Sequence, residues 1–75
     1  MTTTLETTAD TIIQYGNTLR WIDGAIEFAA ATIANLAAEG DTDSHVFTGA
    51  VENYRQLKAK RETTQAAYDA ALEEA

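Results

Sequence analysis

The densest gathering of possible ligands in the chain is Asp41-Thr42-Asp43-Ser44-His45, with Glu52 at the twelfth place counted from Asp41. Spaced oxygen donors closed by a glutamate at that place are the pattern of a helix–loop–helix calcium site. Such a loop needs glycine at its sixth place for the sharp turn, and Val46 stands there. His45 is also a poor ligand for a hard cation. Ser44 and His45 place a hydroxyl beside an imidazole, but nucleophilic catalysis needs a third group to orient the base, and the helix geometry around them supplies none. Asp23 and Glu27 share a helix face, yet the Glu-x-x-His partner of a di-iron bundle is missing, since His45 is the single histidine. The expectation is no catalytic residue, no metal site and no cofactor. Asp41 to His45 then read as turn and cap residues.

The elements that would hold these residues are two long helices. Proline is absent, and alanine, leucine, glutamate and glutamine fill the remaining spans. The one concentrated break is Gly40-Asp41-Thr42-Asp43-Ser44. Gly40 follows an apolar run as a C′ glycine does, and Asp43 or Ser44 can cap what comes next. The sequence predicts a single all-α domain over residues 1–75: a helix at 5–39, a turn at 40–44 and a helix at 44–73.

Heptads join the two. Leu5, Ile12, Leu19, Ile26 and Ile33 recur every seven residues, and Thr8, Tyr15, Ile22, Ala29 and Leu36 fall three places after each. These are the a and d columns of a coiled coil. The second helix repeats the pattern more weakly, with Phe47, Tyr54, Arg61 and Tyr68 in one column and Ala50, Leu57, Thr64 and Ala71 in the other. Folding the chain at the turn so that facing residue numbers total 83 sets Leu36 against Phe47, Ile33 against Ala50, and Ala29 against Tyr54. Ile26 then meets Leu57, Ile22 meets Arg61, Leu19 meets Thr64, Tyr15 meets Tyr68, and Ile12 meets Ala71. Each a position faces a d position, as an antiparallel pair requires, and several layers set large against small. The seam is therefore expected to run through Ile12, Tyr15, Leu19, Ile22, Ile26, Ile33, Leu36, Phe47, Tyr54, Leu57 and Tyr68.

Two helices bury one stripe each, and apolar residues remain outside it. Trp21, Ala25 and Phe28 form a second column at c and g positions, and aromatics are favoured anchors at protein contacts. Gly24 lies beside them. Gly16, Gly24 and Gly49 all fall inside predicted helices at a cost of about 1 kcal/mol each, which close approach of another helix would offset. Arg61 is the one charged residue in the second helix's seam columns, and a buried cation needs a partner. Asp23, opposite it, is the expected one, with Lys58 near Glu27 as a second pair.

Composition sets the remaining bounds. The chain has 75 residues, no cysteine and a net charge of −7. A core this small is rarely stable by itself without disulfides, a metal or oligomerisation. The first two are not expected, so association into a four-helix bundle by dimerisation is. The negative charge argues against nucleic acid or an anionic membrane as partner. No secretory leader or membrane span is read, which leaves a cytoplasmic protein, or one in the host cytoplasm if phage-encoded. The expected function is a non-enzymatic interaction module, self-associating and acting as adaptor, assembly factor or co-chaperone. Its partners are itself and another protein, with a basic surface as one option. Two alternatives stand beside it: a small acidic inhibitor of a basic surface on an enzyme or nucleic-acid-binding complex, and a structural component of a particle.

Overall fold

A computed structural model describes residues 4–74, with side chains described from residue 9 onward. Helix α1 runs Thr4–Ala38 and helix α2 runs His45–Glu74, and they pack side by side as an antiparallel hairpin. The observed bounds differ by a residue at each end from those read in the sequence. The side chains of Leu5 and Thr8 lie outside the described residues.

The turn is built by two local devices. Gly40 adopts φ 81°, a left-handed conformation that glycine takes without steric cost. Its N–H donates to the Ala37 carbonyl at 3.0 Å, and the Asp41 N–H donates to the Leu36 carbonyl at 2.9 Å. That pair of bonds is a Schellman closure, and it ends α1 one residue before Glu39. On the far side the Phe47 N–H donates to Ser44 Oγ at 3.1 Å, while the Thr48 N–H donates to the Ser44 carbonyl at 3.1 Å. Ser44 is thus the N-cap of α2, so the helix proper begins at His45.

Burial follows the heptads. Leu19, Ile22, Ala29 and Ala71 are buried, and each lies in an a or d column. Ile22 is the one fully buried large side chain among the described residues, at 0% exposure. Ile12, Tyr15, Ile26, Ile33, Leu36, Phe47, Tyr54, Leu57 and Tyr68 are half-buried along the same stripe. The cross-helix contacts keep the expected register: Tyr68 lies against Gly16, Arg61 against Asp23 and Lys60 against Trp21, pairs whose numbers total close to 83.

The product is a rod of 58 × 17 × 14 Å with a radius of gyration of 17.0 Å, against about 11 Å for a compact domain of this length. Its accessible surface is 5497 Å². A compact monomer of 8.1 kDa exposes roughly 4,500 Å², so about 1,000 Å² is surplus.

Candidate protein interaction face

Helix α1 turns its a and d columns to α2 and its c column away. Trp21 is 61% exposed and Phe28 75%, both at c, while Ala25 at g is half-buried beside them. The backbone here is regular helix, with one side-chain departure: Thr32 Oγ1 donates back to the Phe28 carbonyl at 3.0 Å. That bond satisfies the threonine hydroxyl locally and leaves the aromatic column unobstructed.

Gly24 sits at the edge of the column. A Cβ added there meets nothing within 4 Å, and the same is true of Gly49. Neither glycine is needed for the hairpin to close, so any close approach that offsets their cost has to come from outside this chain. Gly16 is the exception in kind, with Tyr68 Cε1 3.9 Å from the added atom, an ordinary contact.

A lysine completes the face. Lys60 reaches from α2 to place Nζ 5.4 Å from the centroid of the Trp21 ring. Lys58 lies over Tyr54 at 5.6 Å, one turn away on its own helix. Lys58 therefore does not make the pair with Glu27 that the register suggested; its ammonium stands over the Tyr54 ring, whose face attracts a cation. The Lys60 contact is readable only once the register is known, because both residues sit outside the seam columns.

Arg61 Nε donates to Asp23 Oδ1 at 2.6 Å, the one ion pair among the described residues. The two side chains are 40% and 51% exposed. The expectation of a buried cation is thus corrected. Arg61 occupies a seam column, yet its side chain is part-exposed and its guanidinium ends on the Asp23 carboxylate rather than in the core. The hydrogen bond to Asp23, and then its charge, raise the Arg61 pKa above the ordinary value, so the guanidinium stays charged throughout the working range. A pair this exposed adds little to stability and mainly fixes alignment.

No cluster of three or more histidine, aspartate or glutamate side chains able to hold a metal occurs among the described residues. The best-formed depression, about 260 Å³ and shallow, is lined by Thr42, Phe47, Thr48, Val51, Glu52 and Arg55 near the turn. That is smaller than the roughly 300–1,000 Å³ of typical ligand pockets. Among the described residues no helix is long and apolar enough to cross a membrane.

No family model, curated protein or solved structure matches the chain.

Proposed function

We propose that this chain is a non-enzymatic protein–protein interaction module, a helical hairpin that associates with its own kind through the Trp21, Ala25 and Phe28 face. Adaptor, assembly factor or co-chaperone are the roles that fit such a module. The observation that carries the reading is the exposure of Trp21 and Phe28 on one column of α1, away from the seam. Single exposed apolar residues are ordinary, but two large aromatics one heptad apart make a linear anchor for another helix. The surplus surface of about 1,000 Å² supports the same reading, since each partner in a standard interface buries about 800 Å².

The test is to replace the anchors. Trp21→Ala and Phe28→Ala remove side chains that the hairpin does not bury, so they should dissociate the assembly while far-ultraviolet circular dichroism stays helical. Variants that keep their oligomeric mass would overturn this face as the contact.

A further inference from the structure

The charges of the hairpin are sorted along its length. Towards the open end, residues 4–14 and 66–74 carry Glu6, Asp10, Asp69, Glu73 and Glu74, with no lysine or arginine. Around the turn, residues 29–53 carry Glu39, Asp41, Asp43 and Glu52, again with no lysine or arginine. All five bases, Arg20, Arg55, Lys58, Lys60 and Arg61, fall in the middle, against Asp23, Glu27 and Glu62. Because the rod is only 17 × 14 Å across, a charge on any side of a band lies within about one to two Debye lengths of the others. Trp21 and Phe28 stand in this basic band.

Two copies laid in full register, parallel or antiparallel, would put the basic bands together. In the antiparallel case each acidic end would also lie on the other. Sliding antiparallel copies until each open end lies on the partner's middle reverses both conflicts. Asp10 lies about 20 Å along the axis from the Asp23 level, so the two-fold axis falls half-way, beside Asn17. The overlap, measured from Thr4, is then about 38 Å of the rod, and only the turn ends project. The opposite slide, turn end on middle, overlaps about 33 Å and brings fewer carboxylates to the bases. On the docking side the heptads place Glu74 in the same column of α2 as Lys60, two heptads on, so the staggered arrangement carries a carboxylate to the lysine that covers Trp21.

We infer that the occupant of the Trp21 and Phe28 face is a second copy of this chain, antiparallel and displaced so that its acidic open end lies on the basic middle. The inference rests on the self-association proposed above and adds its orientation and offset. The contact is isologous and closes as a dimer.

The chain has no cysteine, so single cysteines report neighbours cleanly. Asp10, Asn17, Gly24 and Ala31 occur once per heptad on the outer side of the Trp21 column, and each is exposed. Each is replaced by cysteine in the full chain and equilibrated in a glutathione redox buffer, with the mass of the reduced variant measured in parallel. The staggered dimer predicts a disulfide-linked dimer for Asn17→Cys and little for the other three. A second arm reverses charge: Lys60→Glu should weaken the dimer about tenfold, and Lys60→Glu with Glu74→Lys should restore it. Cross-linking centred on Gly24, centred on Ala31, or equal at all positions overturns the offset while leaving self-association intact. A monomeric mass for the reduced variants and the unaltered chain overturns both.

Discussion

Lys60 Nζ stands 5.4 Å from the centroid of the Trp21 ring, a contact between the two helices made outside the seam. The lysine stands over one ring face and leaves Trp21 61% exposed. Trp21 is the single tryptophan, so its fluorescence reports this face alone. Raising the concentration from below micromolar to well above it should shift the emission to shorter wavelength as a partner displaces water from the indole. The spectrum of Phe28→Ala should not move over the same range. An emission maximum independent of concentration in the unaltered chain contradicts burial of Trp21 on association.

Ile22 is the centre of a thin core. Truncating a fully buried isoleucine to alanine costs about 2–5 kcal/mol, and to valine about 0.5–1.5. A hairpin this small has roughly 3–5 kcal/mol to lose. Ile22→Ala should therefore be largely unfolded in water at room temperature, and Ile22→Val folded with a lower urea midpoint. Equal midpoints for Ile22→Ala and the unaltered chain would show that the seam is elsewhere.

The glycines separate hairpin from assembly. Gly49→Ala meets open space in a helix and should raise stability by about 1 kcal/mol. Gly40→Ala should lower it, because φ 81° is strained for any residue with a Cβ. Gly24→Ala is the informative one. It should stabilise the isolated hairpin as Gly49→Ala does, yet weaken association if a second helix approaches there. Thermal melts and light scattering on the three variants read the two effects independently.

Ser44 carries the start of α2 through its hydroxyl on the Phe47 N–H. Ser44→Ala should cost about 1 kcal/mol, and Ser44→Asp should recover most of it, since aspartate caps as well and adds a favourable charge at the helix N-terminus. A Ser44→Asp chain no more stable than Ser44→Ala, by chemical denaturation, would exclude the cap.

Much of this architecture is written in the sequence. A period of seven carried through Ile12, Leu19, Ile26 and Ile33, a glycine after an apolar run, and a serine before the next helix specify two helices and their register. Asp23 and Arg61 could be paired on register alone because opposite charges meet at adjacent levels. What the sequence obscured was depth. Arg61 occupies a core column, but two helices leave every layer open at its flanks, so a long side chain reaches water from a core position. The lysine–aromatic contacts were hidden too: Lys58 stands over Tyr54 and Lys60 over Trp21 rather than on carboxylates, and charge pairing alone does not foresee that. Trp21 and Phe28 could be recognised as lying outside the seam, whereas their degree of exposure needed the packed hairpin.

Self-association is tested most directly by sedimentation equilibrium of the unaltered chain across the micromolar range, beside Trp21→Ala/Phe28→Ala. Self-association requires that the unaltered chain reach twice its 8.1 kDa mass, and that the double variant stay at 8.1 kDa while remaining helical. A cooperatively melting 8.1 kDa monomer of the unaltered chain throughout that range would contradict it.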